Sequence, residues 1–352
     1  MNIDRIIALR KPVSRNIWQR VLVLLMMLTF GYAAQARDFT DATGRTVTIP
    51  DAPMRVFAAG PPASTLLYAL APEKMIGWVR APKAGDLPYL LPATHVLPEL
   101  GRLTGKGGSL NLEVLLAAKP DLIVDFGTVN PTYIDLANRI TEQTGIPYIL
   151  IDGAFDQTPQ AIRSMAEVLG VQGRGEALAT YAEQTIARVD ATLALVPDTA
   201  RPRVYLARGP EGLEAPARGS INAEIVERAG ALNVVEAETT GLVTPSLEQV
   251  IAWAPDTIVT IDRDFAASVG QNADWQAVPA VASGRVFLAP ASPFGFIDSP
   301  PSVNRLIGVT WLLHQFYPDQ MTGDLRAEVR EFYRLFYHVD LEEAGLDGLL
   351  AR

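Results

Sequence analysis

The sequence predicts an α/β protein of two Rossmann-like α/β lobes joined by a single long helix. Three observations predict it. Leu112–Val124 (LEVLLAAKPDLIV) and Leu247–Val259 (LEQVIAWAPDTIV) are near-copies of one helix–turn–strand unit. Short β-branched strands alternate with helices on both sides of that unit, as expected where helices cover a mainly parallel sheet. Between the two copies, apolar residues from Thr158 to Val196 fall on helical spacing without a strand.

In each copy a polar residue, Asn111 or Ser246, can cap the helix. Pro120-Asp121 and Pro255-Asp256 end it, because proline lacks an amide donor and disfavours helix in the residue before it. The apolar run that follows reads as a buried strand.

Asp38–Pro50 reads as a polar hairpin around Thr43-Gly44, and Arg55–Ala59 as a short strand. Gly60–Ser64 leads into an apolar helix, Thr65–Leu70, and Met75–Val79 is a second strand. A Pro- and Gly-rich loop runs from Arg80 to Ser109. After the first repeat come a helix over Tyr133–Gly145 and a strand over Tyr148–Ile151. Gly170–Gly175 splits the helical stretch into a short helix and a longer one of about 20 residues, roughly 30 Å. The second lobe opens with the strand Arg203–Ala207, a glycine-rich loop over Arg208–Ser220 and a helix from Asn222. Val234-Val235 is placed as its second strand and Val286–Leu288 as its last. A loop over Pro290–Ser302 and helices over Val303–Tyr317 and Asp324–Tyr337 close the chain.

A length of 352 residues suggests two domains, and 49% apolar residues suffice for two cores. The net charge of −9 argues against a nucleic-acid partner. The absence of cysteine excludes disulfides, thiolate metal sites, a cysteine nucleophile and a lipid-anchored cysteine. Residues 1–36 read as a signal peptide. Five basic residues precede the apolar run Val21–Phe30, and Ala34-Gln35-Ala36 is a small-x-small cleavage site. The run is shorter than the ~20 residues a spanning helix needs. Cleavage after Ala36 leaves 25 basic and 38 acidic residues, a net −13, which fits a soluble periplasmic protein.

Enzyme patterns are absent or incomplete. No G-x-S-x-G elbow occurs. Gly101–Gly107 is one residue short of a phosphate loop and lacks Ser or Thr after Lys106. The three histidines, His95, His314 and His338, have no metal-binding spacing, which argues against direct zinc or manganese binding. His95 and Tyr89 stay open as haem ligands.

From about Asp38 to Tyr337 the chain resembles the substrate-binding proteins of ABC importers for iron chelates, haem and vitamin B12. The resemblance rests on the leader, the RVFAAGPPAS opening (Arg55–Ser64), the two Glu-bearing repeats and the long helix between them. It implies a rigid interlobe helix with small closure, no catalysis and no cofactor. It implies a permease dimer with its ATPase as partner, docked by one glutamate per lobe, Glu113 and Glu248. A carboxylate in a first helical turn also complements the helix dipole, by ~0.3–1 kcal/mol. The ligand implied first is an iron chelate, a ferric siderophore before the others. Haem, cobalamin and an oxyanion such as molybdate are the alternatives. An exported α/β hydrolase and a sensory ectodomain are the rival classes.

Ligand contacts are expected on the loops beyond the carboxyl ends of the strands. The candidates are Ser64 at a helix start, Arg80, Tyr89 and Arg102 in the long loop, Arg208, Arg218 and Ser220 in the glycine-rich loop, and Phe294, Phe296 and Asp298 in the late loop. Guanidinium forks suit anionic oxygens and aromatics cover an organic shell. The division expected is leader 1–36, first lobe 37–156, interlobe helical segment 157–197 and second lobe 198–352, acting as a monomer.

Overall fold

A computed structural model describes residues 35–104 and 112–350. Residues 1–34 of the expected signal peptide 1–36, and Asn111, the expected cap of the first repeat helix, lie outside them.

The chain opens with an antiparallel hairpin, β1 (Ala36–Thr40) and β2 (Thr46–Pro50), in register Arg37↔Ile49. The first lobe then follows as β3 (Val56–Ala58), α1 (Pro61–Leu70), α2 (Leu112–Ala118), β4 (Leu122–Gly127), α3 (Pro131–Thr144) and β5 (Tyr148–Asp152). Its strands are parallel in the order β3-β4-β5. Two helices, α4 (Thr158–Leu169) and α5 (Gln172–Leu193), carry the chain to the second lobe. There the strands are β6 (Arg203–Ala207), β7 (Ala215–Pro216), β8 (Leu232–Asn233), β9 (Leu242–Val243), β10 (Thr257–Thr260) and β11 (Val286–Leu288). Helix α6 (Glu224–Arg228) precedes β8, α7 (Leu247–Trp253) precedes β10, and α8 (Arg263–Ser268) and α9 (Pro279–Ala282) precede β11. The main sheet is parallel in the order β11-β10-β6-β8. Helices α10 (Arg305–Phe316), α11 (Leu325–Phe332) and α12 (Glu343–Leu350) end the chain.

The two sheets are wound alike. In the second lobe the chain passes from β6 to β8 on one side, then to β10 and β11 on the other. In the first, Met75 bridges in parallel to Val56 on one side of β3, and β4 and β5 lie on the other. Both therefore have a topological switch point, between β3 and β4 and between β6 and β10. The repeated unit supplies the strand beyond the switch in each case.

Alternation along the central strands divides the core. Leu122, Val124 and Phe126 of β4 and Val204 and Leu206 of β6 enter one apolar cluster shared by both lobes and by α10. Ile123 and Tyr148 belong to a satellite cluster of the first lobe, Tyr205 and Ile258 to one of the second. The shared cluster holds the lobes together over a wide apolar contact.

Several elements differ from the sequence expectation. Met75–Val79 makes only isolated bridges and no strand. The second strand of the second lobe is Leu232–Asn233, two residues before the pair expected. Helix α1 starts at Pro61, since proline is tolerated at the first helical positions, where its missing donor costs nothing. The helix expected over Asp324–Tyr337 is α-helical only to Phe332 and continues as a π-helical turn, Tyr333–Tyr337. Helix α12 was not expected. Gly170 adopts φ 71° and breaks α4 from α5. A Cβ on Gly175 would lie 2.2 Å from the Ala166 Cβ, so glycine is what lets these two helices approach.

The repeat turns alike in both lobes. Lys119 and Ala254 just past the two helices both adopt left-handed φ, 48° and 45°. That conformation costs a residue with a Cβ roughly 1–2 kcal/mol. Lys119→Gly and Ala254→Gly should each stabilise the protein by about 1 kcal/mol in urea denaturation, the remainder being lost to glycine's greater unfolded-state freedom.

Candidate functional site

The carboxyl ends of the two sheets are bridged by the loop from Pro290 to Asn304. Its Ser302 hydroxyl donates to the Pro62 carbonyl at 2.7 Å, at the start of α1. Its Asp298 carboxylate takes the Arg208 guanidinium, one residue past β6. The region so enclosed lies over both switch points, where open α/β sheets bind ligands.

On the first-lobe side, the amides of Leu103 and Thr104 both donate to the Ala59 carbonyl, at 2.7 and 3.1 Å. This lays residues 101–104 over the end of β3. A Cβ on Gly60 would stand 2.6 Å from the Thr104 Oγ1, so the close approach needs glycine. Arg102, half-buried, projects from this strap and forms no ion pair among the described residues. Ser64 lies in the first turn of α1, 4% exposed, and its Oγ has no hydrogen-bond partner. Pro61 and Pro62 leave that turn short of amides, so a hydroxyl is its natural polar contact. Beneath, Asp125 on β4 accepts from Phe126 N and Tyr148 Oη, both at 3.0 Å. Burial pushes its carboxyl up to about 6 despite these hydrogen bonds.

On the second-lobe side, Arg208 carries two carboxylates, Asp298 on Nη1 and Glu214 3.1 Å from Nε. Asp298 is fully buried, and its other oxygen accepts from Asn222 Nδ2 at 2.8 Å and Ser299 N at 2.7 Å. Asp298 is thus occupied as the anchor of Arg208. Two acids around one guanidinium leave this cluster with net negative charge, so Ser64 and Arg102 carry more of any attraction for an anion.

The other sequence candidates are dispersed. Arg80 is exposed and Arg218 is exposed, held by Glu236 at 3.0 Å and the Asn233 carbonyl at 2.9 Å. Ser220 is buried and accepts from Ala223 N at 3.3 Å, in the turn before α6. Tyr89 donates to the Gly345 carbonyl of α12 at 3.2 Å and packs edge-on against Tyr333. Phe296 is fully buried against Tyr333 and presents no surface to the cleft. Phe294 crosses the lobe boundary to pack on Tyr68 and Trp78. Sequence reasoning passed over Asn222, Ser302 and Glu224. Arg305 lies inside a predicted helix and reads from the sequence only as a support of the preceding loop, yet it is fully buried between the lobes. A charged residue opening an otherwise apolar helix, RLIGVTWLL, was the available signal.

A hollow of about 90 Å³ opens at the ends of β10 and β11, between Ile261, Arg263, Pro290, Ser292, Tyr89 and α12. A larger one of about 540 Å³ is lined by Leu87, Leu90, His95 and His338, and neither hollow touches the α1 start, Arg102 or Arg208. Among the described residues no group of three or more His, Asp or Glu could hold a metal ion, and no helix is long and apolar enough to cross a membrane.

Residues 93–293, which include both strands beyond the switch points, the strap 101–104 and Arg208, match the family described as periplasmic binding protein. The chain belongs to the periplasmic binding protein family. Among curated relatives of this binding protein, the molybdate-binding protein MolA of Haemophilus influenzae is 28% identical over 345 residues, covering 90% of this chain and 95% of the relative. A vitamin B12-binding protein of Pectobacterium carotovorum is 28% identical over 211 residues, covering 59% and 71%. Among solved structures, an ABC transporter solute binding protein of Sulfurospirillum deleyianum superposes with a TM-score of 0.81 at 28% identity, covering 90% of this chain and 99% of that one. The MolA structure with molybdate gives 0.72 at 26%, covering 87% and 99%. The two-lobed α/β architecture of periplasmic binding proteins is therefore established, with a role in binding for an ABC importer and not in catalysis.

Proposed function

We propose that this periplasmic binding protein captures a small oxyanion of the molybdate type between its lobes and delivers it to an ABC importer. The observation that carries the reading is the similarity to the molybdate-binding protein MolA along nearly the whole chain, 28% identical over 90% of it. The polar groups near the two switch points suit a small anion: Ser64 with a buried, unpartnered hydroxyl, Arg102 without an ion pair among the described residues, and Arg208. In this reading an oxyanion stands ahead of the iron chelate that the family resemblance put first.

In this reading Ser64, Arg102 and Arg208 contact the anion, and Asp298 orients Arg208. Tyr89, Arg80, Arg218, Ser220, Phe294 and Phe296 serve the frame. Residues 1–36 direct export to the periplasm. The lobes are 37–156 and 198–352, and the segment 157–197 acts as a stiff connection that limits closure. Glu113 and Glu248 dock the protein, as a monomer, on the permease dimer with its ATPase.

Thermal unfolding of residues 37–352 with molybdate, tungstate, sulfate, haem, cobalamin and a ferric siderophore tests it. A ligand at 100 times its Kd stabilises by ~2.7 kcal/mol. Molybdate or tungstate should do so, and Arg102→Ala should remove most of the effect. A shift with a ferric siderophore or haem and none with either oxyanion would restore the iron-chelate reading.

A further inference from the structure

Arg305 and Glu224 meet where the lobes are joined. Arg305 opens α10 and is 1% exposed. Its Nη2 donates to the Gly153 carbonyl, one residue past β5 in the first lobe, at 2.5 Å. Its Nη1 donates to Glu224 Oε2 at 2.9 Å and to the Ile221 carbonyl at 3.2 Å, both in the second lobe. Its Nε reaches the Ser302 carbonyl at 3.3 Å. The guanidinium lies over the Phe155 ring at 5.6 Å. Glu224 completes the circuit by accepting the Phe155 amide on Oε1 at 2.9 Å. One ion pair thus holds the end of β5 and the approach to α4 against the loop that opens α6. Parting the lobes here by less than a layer of water would strip the guanidinium of the Gly153 carbonyl and Glu224 of the Phe155 amide before either could be rehydrated.

We propose that the Arg305–Glu224 pair is a bolt that sets the spacing of the lobes and so restricts the binding protein to small ligands. The proposal rests on the reading that the ligand lies between the lobes. The planar fork suits the task because five donors in fixed geometry can hold three carbonyls and a carboxylate together, which an ammonium cannot. Arg305 acts on the ligand only through lobe position, so it is a positioning residue. Arg228 reinforces the same edge, with Asp156 at 2.8 Å and Asp190 of α5 at 2.5 Å.

The chain has no cysteine, so a spin-label pair at Glu142→Cys on α3 and Ala267→Cys on α8 reports lobe separation without interference. Both positions are exposed. Pulsed electron–electron resonance should give one narrow distance distribution in the otherwise unaltered protein, with or without molybdate. Glu224→Gln/Arg305→Met removes both charges together, so no lone buried charge opposes folding. It should broaden the distribution toward longer distances and weaken molybdate about tenfold. Glu224→Gln alone, at a side chain 31% exposed, gives a milder variant with the same direction of change. Arg305→Lys, which cannot span Gly153 and Ile221 at once, should also broaden it. A narrow, unshifted distribution in these folded variants overturns the bolt, whatever the affinity does. If the unaltered protein binds no oxyanion, the reading of the ligand fails while the distance measurement still decides the bolt.

Discussion

The double variant Glu113→Ala/Glu248→Ala will lose transport by about tenfold or more while its ligand affinity stays within about twofold of the parent. Both carboxylates are exposed in the first turn of a repeated helix, α2 or α7. Both helices are braced by the same contacts. Asp121 accepts the amides of Met54 and Arg55, and Asp256 accepts that of Arg203. Arg55 returns its guanidinium to the carbonyls of Ala118 and Lys119 at the end of α2, and Arg203 reaches that of Trp253 at the end of α7. Each glutamate is therefore carried on a short helix tied to the residue that leads into, or opens, the first strand of its lobe, β3 or β6. The Ser246 hydroxyl beside it holds the Glu248 carboxyl below the usual range, so it is charged at neutral pH. An exposed ion pair is worth ~0.2–1 kcal/mol, so two lost contacts come to at most ~2 kcal/mol, a factor of roughly 30. Rim charges act on encounter and register. Raising salt should accordingly weaken transport by the parent more than by the double variant. Transport measured in vesicles carrying the permease and ATPase, beside calorimetric ligand titration, separates the two effects. Unchanged transport, or loss of ligand binding in the variant, would end the docking assignment.

What could be read from the chain alone was what is encoded locally. The repeat is legible because proline, a following aspartate and a β-branched run each act on their own neighbours. Gly170 is legible because a left-handed residue between two periodic segments breaks a helix wherever it stands. Val234-Val235 misled for a related reason. Those residues have high strand propensity, yet pairing with β6 stops at Val204↔Asn233, and register belongs to the partner strand and not to propensity. The site was legible only as a set of loops. Arg208 finds its carboxylate 90 residues away at Asp298, and Arg305 finds its carbonyl 152 residues away at Gly153. No local pattern announces either. Arg218 likewise looks like a ligand contact until its hold on Glu236 and the Asn233 carbonyl is seen. Phe296 shows the converse, an aromatic in a candidate loop that the fold uses as core.

Asp125→Asn is expected to make the protein more stable at pH 8, by as much as about 3 kcal/mol. Burial raises this carboxyl to about 6 from its ordinary 3.8, and the hydrogen bonds from Tyr148, Phe126 and Thr104 recover only part of the loss. A pKa unit is worth 1.36 kcal/mol, and roughly two separate the folded from the unfolded value. The sign follows from which state holds the proton more tightly. The folded state does, so the parent suffers no penalty below about pH 4, where the acid is protonated in both states. The penalty grows as pH rises from 4 through 6 and is constant above. Asparagine keeps its oxygen as acceptor for the Phe126 amide and turns its amide nitrogen toward the Tyr148 oxygen, which can accept, without the charge. Urea denaturation of parent and variant at pH 4, 6 and 8 should show curves that coincide at the lowest pH and separate upward. A variant less stable than the parent at pH 8 would mean that the charged form is stabilised by its surroundings. A separation independent of pH would assign the effect to packing. The position gives the cost a functional sense. Asp125 reaches Thr104, at 3.4 Å, in the strap that lies over Gly60 at the start of α1. The Thr104 hydroxyl is among the donors that favour the charged carboxylate, so the charge that costs the core stability helps to hold the segment carrying Arg102. Asparagine should therefore loosen the strap and quicken amide exchange at Thr104 while raising global stability.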